Sequence, residues 1–425
     1  MSEKEPLSTE PYKGVHDYYP EDWARLQAVF ETIRRTLRSY GYEEYQASPM
    51  ERAELYEAKT SEEIVSQQTY TFEDRGGRRV TLRPEMTPTL ARMVAGKRRE
   101  LVFPLRWFSI GNRFRYERPQ KGRSREFYQA DVDIIGIEGV KAEGEAVVMA
   151  HELVSAFGAK DKDFAIRVNS RRLLNTAAAA AGLTAEEAAS YLALLDKKEK
   201  MPADVFEEAR APYRKNGKDP LELIEERADP AITEELDSLM ALVEAFRERG
   251  VTNVSFDPTV VRGFLYYTGI VFEVFDTNPE NPRALLGGGG YDGLVALFGG
   301  EPVPAVGFAI GIETLVDFLT THDLLPETLP GADLFIGTPA ESDIATAHGV
   351  ANELRDAGLN VFVNVSEKSL GDQVKEAVRR GIPYFMAVGA EEKSSGKMKL
   401  KTLAASTEEE LSLSDIARRI RPEAG

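Results

Sequence analysis

The sequence predicts an α+β protein in which an antiparallel sheet flanked by helices is followed by a smaller α/β domain. Two strand-like runs lie on either side of a Pro-Gln-Lys-Gly turn within residues 101–138, and strand-like runs return between residues 254 and 311. Between them, the Ala-rich segment of about residues 171–250 has a helical pattern, which predicts an inserted helical module. Beyond the segment LLPETLPGAD, strands and helices alternate, as is typical of a small α/β domain.

The first predicted element is a long helix that begins at Pro20. Its apolar residues recur at helical spacing, and Gly41 follows the last turn as a stop signal; the predicted buried face consists of Trp23, Leu26, Phe30, Ile33 and Leu37. The segment YEEYQASPMERAELY predicts a strand that ends near Pro49. Further helices are predicted from about Thr87 to Arg99 and near residues 141–157.

Domain boundaries follow from the proline-rich segment. Two prolines and a glycine make LLPETLPGAD the best linker in the chain. We therefore expect a first domain over residues 1–326 with its helical insertion at about 171–250, a linker at 327–331, and a second domain over residues 332–425.

Composition excludes several classes of function. The 425 residues include no cysteine, so disulfide scaffolds, thiolate metal sites and thiol nucleophiles are excluded. The N-terminal stretch MSEKEPLSTEPYKG has no apolar region, and no later segment is apolar for long enough to span a bilayer, which predicts a cytoplasmic protein without a membrane partner. A net charge of -17 argues against sequence-blind binding to nucleic acid, although local basic patches can still bind RNA.

Two other kinds of site find no support in the sequence. The four histidines, at positions 16, 151, 322 and 348, are scattered without metal-ligand spacing. The segment GGGGYDGLV lacks both the Lys-Ser/Thr of a P-loop and the spacing of a dinucleotide-binding fingerprint. Its glycines are therefore expected to let backbone approach backbone or ligand.

The hairpin RFRYERPQKGRSREFYQ (113–129) places charged and amide side chains on one face of the predicted sheet. Because alternate residues of a strand share a face, Arg113, Arg115 and Glu117 point one way. On the return strand one face carries Phe127, Gln129, Asp131 and Asp133. A half-solvated hairpin explains the alternation, but the aromatic flanks indicate a covered surface, where charges need partners that a ligand would supply.

Two further stretches carry candidate residues. In RPEMTP, Glu85 and Thr87 are held on proline-stiffened backbone, where they either cap the helix that follows or bind the ammonium group of an amino acid. In VVRGFLYYTGIVFEVF, Arg262 is one cation in an apolar, strand-like run. It is either an edge-strand arginine with its head in water or the partner of a carboxylate or phosphate, and Tyr266 and Tyr267 are either core residues or part of that site.

At this point the sequence resembles the class II aminoacyl-tRNA synthetases and, among them, the histidyl-tRNA synthetase family. The resemblance covers nearly the whole chain: GYEEYQASPMER resembles motif 1, the 113–129 hairpin motif 2, VRGFLYY the histidine-specific signature, and AVGFAIGIETL motif 3. The segment EKSLGDQVKEAVRRGIPYFMAVG is similar to the anticodon-binding domain. The implied fold is the class II antiparallel sheet with a helical insertion and a C-terminal α/β anticodon-binding domain.

The resemblance also implies roles for individual residues. For ATP, Arg115 would bind the α-phosphate, Glu117 would lie on the adenosine side and Arg123 would meet the distal phosphates. Arg262 would touch both the histidine carboxylate and the α-phosphate, so Arg262 and Arg115 are the expected catalytic residues. L-Histidine would be bound by Glu85, Thr87, Gln129, Asp133, Tyr266, Tyr267 and Tyr291.

The implied reaction is a two-step ligation. Histidine attacks the α-phosphorus of ATP to give histidyl-adenylate and pyrophosphate, and the terminal ribose of tRNA(His) then takes the histidyl group. Mg²⁺ is expected at the distal phosphates with ligands that the sequence does not name. Arg118 and Lys121 either reach the acceptor end of the tRNA or belong to a solvated loop, and the resemblance implies a homodimer with motif 1 at its interface.

Three positions depart from the family pattern. Thr314 stands where motif 3 usually has an arginine that contacts the γ-phosphate, Gly290 where an arginine is usual, and Leu265 where an aspartate is common. Losing the cation at position 314 would weaken ATP binding unless another arginine or lysine takes its place.

Two other functions compete with tRNA charging. One is a synthetase-like, histidine-sensing regulatory subunit of ATP phosphoribosyltransferase; such subunits typically lack the anticodon-binding domain that this chain resembles. The other is a class II synthetase for glycine, threonine or proline, against which Asp133 and VRGFLYY argue.

Overall fold

The computed structural model describes residues 7–57, 68–120, 122–198, 201–215, 217–262, 266–328, 330–389, 392 and 397–421. The chain forms two compact units, which divide between Pro326 and Glu327. No helix among these residues is long and apolar enough to cross a membrane.

The first unit is built on an eight-stranded sheet with the strand order β1-β5-β6-β11-β10-β9-β7-β8. All neighbouring strands are antiparallel except the two outer pairs, β1 with β5 and β7 with β8. The strands are β1 (Glu43–Glu44), β5 (Leu105–Phe114), β6 (Glu126–Ile135), β7 (Phe164–Ser170), β8 (Val254–Phe256), β9 (Ile270–Asp276), β10 (Ala284–Gly290) and β11 (Ala305–Gly311). The predicted hairpin is thus β5 and β6, at the turn where it was expected.

One face of this sheet is covered by helices and the other carries polar groups. Val132, Phe272 and Phe308 point into a core shared with α1 (Pro20–Ser39) and α4 (Val140–Ser155). Between these apolar positions the side chains point to the opposite face, as the two-residue period of a strand requires. The polar face is the one on which the candidate site lies.

The first helix follows the prediction except at one residue. Leu26, Phe30, Ile33 and Leu37 are buried, whereas Trp23 is 37 % exposed. Trp23 instead packs at the rim of the core against the ring of Tyr128, with ring centroids 5.8 Å apart.

A small antiparallel sheet, β2-β4-β3, precedes the RPEMTP segment and positions it beside the main sheet. It comprises β2 (Met50–Arg52), β3 (Tyr70–Glu73) and β4 (Arg79–Leu82), followed by α3 (Thr87–Lys97), with α2 (Ala53–Glu57) beside it. The prediction of a strand ending near Pro49 is wrong: β1 ends at Glu44, and Pro49 precedes β2. Arg83 then joins both sheets, because its N–H donates to Pro49 O and its carbonyl accepts from Phe114 N.

In the described part of the helical insertion, five α-helices lie between β7 and β8. They are α5 (Arg171–Ala180), α6 (Ala185–Leu195), α7 (Ala203–Arg210), α8 (Pro220–Glu225) and α9 (Pro230–Glu248). Capping boxes at Thr184 and Asp219 fix the starts of α6 and α8. The last helix of the first unit, α10 (Ile312–Thr321), follows β11 directly.

The second unit has a five-stranded sheet in the order β13-β12-β14-β15-β16, parallel in its first three strands and antiparallel in the rest. Its elements are β12 (Leu334–Gly337), α11 (Ile344–Asp356), β13 (Val361–Val363), α12 (Leu370–Arg379), β14 (Tyr384–Ala387), β15 (Met398–Thr402), β16 (Thr407–Leu411) and α13 (Leu413–Ile420). The alternation predicted from the sequence is present up to β15, whereas β16 and α13 were not predicted.

Candidate active site

Two adjoining cavities open on the polar face of the main sheet. The larger is a cleft of about 710 Å³, and the smaller is a pocket of about 90 Å³. Arg115, Gln129 and Arg262 line both cavities. A molecule in the pocket and another in the cleft would therefore meet at two arginines and an amide.

The small pocket is lined by every residue that the resemblance assigns to histidine. They come from four parts of the chain: the RPEMTP segment, β6, the residues just before β9, and the residue after β10. Together these supply Glu85, Thr87, Gln129, Asp133, Tyr266, Tyr267 and Tyr291.

At one end of the pocket, Tyr266 donates a hydrogen bond from its hydroxyl to Glu85 Oε2 at 3.0 Å. Thr87 is the first residue of α3, whose N-cap is Met86 and lacks a side-chain cap, so the alternative that Thr87 caps the helix is wrong. The side-chain oxygen of Gln129 is buried and has no hydrogen-bond partner among the described residues. Buried acceptors of this kind suit a donor-rich ligand group such as an ammonium.

At the other end, Asp133 Oδ1 accepts a hydrogen bond from the Tyr291 hydroxyl at 2.5 Å. Asp133 is only 4 % exposed. Its pKa is raised to about 8, chiefly by burial; the bond from Tyr291 lowers the pKa and the nearby Asp131 raises it. Burial also raises the pKa of Tyr291 well above its ordinary value, so this hydroxyl keeps its proton and remains a donor.

Glycines make room for these side chains. Gly307 lies opposite Asp133 in the β6–β11 ladder, and a Cβ there would collide with the Asp133 carboxylate. A Cβ at Gly287 would lie 2.6 Å from Arg262 Nη1, and one at Gly289 2.7 Å from the ring of Tyr267. The glycine run predicted to permit close approach thus borders both the small pocket and the arginine beside it.

Arg262 does not lie in a strand, contrary to the prediction, because β9 begins only at Ile270. Its backbone has φ +56°, in the left-handed region that non-glycine residues rarely occupy, which marks a position fixed by its surroundings. Nor is Arg262 an isolated cation, since its Nη1 bonds Glu273 Oε1 of β9 at 2.6 Å. Burial acts to lower its pKa, but Glu273 raises the pKa above the ordinary value, so the guanidinium stays charged.

In the cleft, Arg115 is held by a hydrogen bond from its Nε to Pro84 O at 2.9 Å, with its guanidinium 5.3 Å from the centre of the Phe127 ring. Burial lowers the pKa of Arg115, and the neighbouring Glu85 raises it. Glu117 and Arg123 also line the cleft, where they pair with each other at 2.8 Å. Arg118 is exposed, and Lys121 lies outside the described residues.

Three functional features escaped the sequence reasoning. Glu273, the partner of Arg262, is the one carboxylate in the apolar run IVFEVF, and its isolation there was a usable signal. A fully buried Arg113 pairs with Asp131 at 2.5 Å beneath the pocket, although both had been placed on the polar face without a role. Arg283 also lines the cleft, and no local pattern around it indicated a site.

Comparison with known proteins identifies the family. The histidyl-tRNA synthetase family model matches residues 14–315, and an anticodon-binding domain model matches residues 335–423. A histidine--tRNA ligase of Leptospira biflexa is 39 % identical, covering 98 % of this chain and 98 % of the relative, and that of Pyrococcus abyssi is 34 % identical over 97 % and 98 %. The chain belongs to the histidyl-tRNA synthetase family. It is therefore an aminoacyl-tRNA synthetase, a ligase, and the resemblance found in the sequence is confirmed.

Solved structures show the same fold for this family member. The histidyl-tRNA synthetase from Nostoc sp. PCC 7120 superposes with a TM-score of 0.81 at 25 % identity, covering 98 % of this chain and 99 % of that one. A Bacillus halodurans protein described as an ATP phosphoribosyltransferase regulatory subunit/histidyl-tRNA synthetase gives a TM-score of 0.73 at 21 % identity, over 91 % and 98 %, and shows the fold alone. The predicted α+β architecture is confirmed.

The structure also locates the departures from the family pattern. Thr314 lines the cleft with its hydroxyl bonded to Gly311 O at 2.9 Å, so its side chain brings no charge to the cleft. A Cβ at Gly290 would lie 3.3 Å from Glu143, a buried carboxylate that accepts from Ile270 N, so this position does not face the cleft. Leu265 lies outside the described residues.

Proposed function

We propose that the chain activates L-histidine with ATP to histidyl-adenylate and then transfers the histidyl group to the 3′ end of tRNA(His). Family membership supports the overall reaction. The observation that carries the assignment of the site is the pair of adjoining cavities that share Arg115, Gln129 and Arg262. Two substrates must be joined, and these shared residues lie where the two would touch.

The pocket is suited to histidine at both ends. Glu85, Thr87 and Gln129 offer acceptors to the α-ammonium group, with Glu85 as its charge partner. Asp133, Tyr267 and Tyr291 read the imidazole, which presents one donor and one acceptor when neutral. The amino acid would thus lie along β6 with its carboxylate toward Arg262.

In the first step, the histidine carboxylate oxygen attacks the α-phosphorus of ATP in line and pyrophosphate leaves. Arg115 and Arg262 stabilise the charge that develops on the α-phosphoryl oxygens, while Glu117 lies beside the adenosine and Arg123 beside the distal phosphates. Glu273 fixes the Arg262 guanidinium in advance. In the second step, a ribose hydroxyl of the terminal nucleotide attacks the carbonyl carbon and AMP leaves, so no protein nucleophile is required.

Mg²⁺ would accompany the distal phosphates of ATP. This cation needs few protein ligands, because one or two carboxylates, water and phosphate oxygens complete its shell. Glu313 in the cleft fits, since its Oε1 is buried without a hydrogen-bond partner among the described residues. When bound, the ion would neutralise negative charge on the leaving pyrophosphate.

For the tRNA, we assign acceptor-end contacts to the exposed Arg118 and to Lys121, and anticodon contacts to the second unit. The match of residues 335–423 to an anticodon-binding domain supports the latter. It also argues against a histidine-sensing regulatory subunit, since that role needs no anticodon recognition. The proposed domains are residues 1–326 with the insertion at about 171–250, a linker at 327–331, and residues 332–425, in keeping with the division into two compact units.

We also propose a cytoplasmic homodimer. The apolar side chains of Tyr40, Met50 and Phe72 in the first unit are exposed by 49 %, 54 % and 44 %, which supports a partner surface near motif 1. A gel-filtration mass matching one chain at micromolar concentration would refute the dimer.

The decisive experiment is pyrophosphate exchange into ATP with each of the twenty amino acids, comparing the wild type, Arg262→Ala and a control. Exchange is expected with histidine alone, and Arg262→Ala should lower it by about 100- to 1000-fold because a charged donor to the reacting phosphoryl group is lost. Arg38→Ala is the control, since that side chain is 56 % exposed at the end of α1 and its one ion pair among the described residues is with Glu44. Histidine binding without exchange would instead favour the sensing subunit.

A further inference from the structure

Position 314 brings no cation to its end of the cleft, whereas the family pattern described above usually has an arginine there. Beside Thr314 lies a further cavity of about 390 Å³, whose lining includes Gly122, Arg283, Thr314 and Asp317. The first step produces pyrophosphate, whose charge must be stabilised in this part of the cleft. A cation that replaces the arginine absent from position 314 is therefore expected among the residues around the cavity.

Arg283 is a cation that lies close to Thr314. It lies just before β10 and lines both this cavity and the main cleft. A Cβ on Gly122, in the turn of the hairpin, would lie 3.4 Å from Arg283 Nη1 and 3.6 Å from Thr314 Cγ2. The guanidinium and the threonine methyl therefore converge on one point beneath the hairpin turn.

The Arg283 guanidinium is buried at one nitrogen and lacks a partner there. Its Nη1 has no hydrogen-bond partner among the described residues. A buried N–H of a charged group without an acceptor destabilises the folded protein. This arrangement is expected of a donor whose acceptor is a bound anion.

Charged groups of both signs surround Arg283. Burial lowers the pKa of Arg283, and the nearby guanidinium of Arg123 lowers this pKa further. The acidic neighbours Glu117, Asp317 and Glu313 act in the opposite direction, but Glu117 is already paired with Arg123. A polyphosphate would relieve the repulsion between the two arginines, because each could bind different oxygens.

We propose that Arg283 replaces the arginine absent from position 314 and binds the terminal phosphate of ATP. This inference rests on the proposed adenylation site and names one more of its binding residues. Arg283 then distinguishes ATP from AMP, since AMP has no phosphate that reaches this end of the cleft.

The test compares equilibrium binding of ATP and AMP to Arg283→Ala, Arg283→Lys and the double variant Arg283→Ala/Thr314→Arg. Arg283→Ala should weaken ATP binding by about 10- to 100-fold and leave AMP and histidine binding unchanged, because one charge-assisted bond is lost. Arg283→Lys should lose less ATP affinity than Arg283→Ala, because it keeps the positive charge. The double variant should regain ATP affinity, since it restores a guanidinium at the position where the family has one.

Three results would overturn the proposal: unchanged ATP affinity in Arg283→Ala, equal losses for ATP and AMP, or no recovery in the double variant. If Arg283→Ala does not fold, the comparison of Arg283→Lys with the wild type decides, because a lysine cannot reproduce the fork of the guanidinium. Arg38→Ala again serves as the control. Absence of histidine-dependent exchange in the wild type would refute the proposed function alone, whereas the ATP-over-AMP comparison refers only to Arg283.

Discussion

Replacing Asp133 by asparagine should make the ligand-free protein more stable and the enzyme less active. Burial raises the pKa of Asp133 to about 8, from an ordinary value of 3.8. Because the folded-state pKa is the higher one, the folded protein prefers the protonated carboxyl, and stability is lost as the pH rises from about 4 to about 8. An asparagine of similar size can still accept the Tyr291 hydrogen bond, and it carries no charge.

The size of the effect follows from the shift. At 1.36 kcal/mol per pKa unit, the stability advantage of Asp133→Asn should grow by up to about 5 kcal/mol between pH 4 and pH 8 and then level off. Above pH 8, where the wild-type carboxyl is charged, histidine-dependent exchange should fall by about 10- to 100-fold relative to the wild type, since the imidazole loses a charged acceptor.

Urea unfolding followed by tryptophan fluorescence measures this stability. Both tryptophans, Trp23 and Trp107, lie in the first unit, so the signal reports on the unit that contains Asp133. Asp237→Asn is the control, at a carboxylate that is 60 % exposed on α9, and its stability difference should show no such growth. A difference between Asp133→Asn and the wild type that stays constant from pH 5 to pH 8.5 would refute the reasoning.

Two other predictions concern the support of the pocket. Gly307→Ala places a Cβ against the Asp133 carboxylate and should raise the KM for histidine at least about 10-fold, with a smaller effect on the KM for ATP; equal changes in both would point to general damage. Arg113→Met leaves Asp131 buried without its cation and should cost about 3–5 kcal/mol of unfolding free energy, measured as a lower urea midpoint of the tryptophan signal; an unchanged midpoint would contradict the role given to this pair.

Much of the first unit could be predicted because its signals are local. The alternation of β6 placed Gln129, Asp131 and Asp133 on one face, and the helical periodicity of residues 171–250 predicted the insertion before any contact was known. Strands without such a pattern were missed. The segment TEEEL forms β16 although it is polar and mostly exposed. Its stability comes from antiparallel pairing with β15 and not from burial of its side chains.

The parts of the site that could not be predicted depend on partners distant in the sequence. The run VVRGFLYY is apolar enough to predict a strand, yet Arg262 is turned into a left-handed conformation that directs it to Glu273. Arg283 comes near Thr314 and Gly122 only because β10 and the hairpin meet in three dimensions. Periodicity reports which side of an element a residue faces, and it carries no information on which other element lies there.

The run of four glycines in β10 also limits which amino-acid substitutions this enzyme can tolerate. A Cβ would meet Arg262 at position 287, the β11 backbone at 288, Tyr267 at 289 and Glu143 at 290. Every other amino acid has a Cβ, so no choice of side chain can relieve the crowding against backbone at positions 288 and 289, whereas at position 287 the Arg262 guanidinium would have to move. A saturation-mutagenesis library should therefore show two consecutive codons, 288 and 289, that tolerate no replacement, and directed evolution of this site must proceed through the residues around the strand.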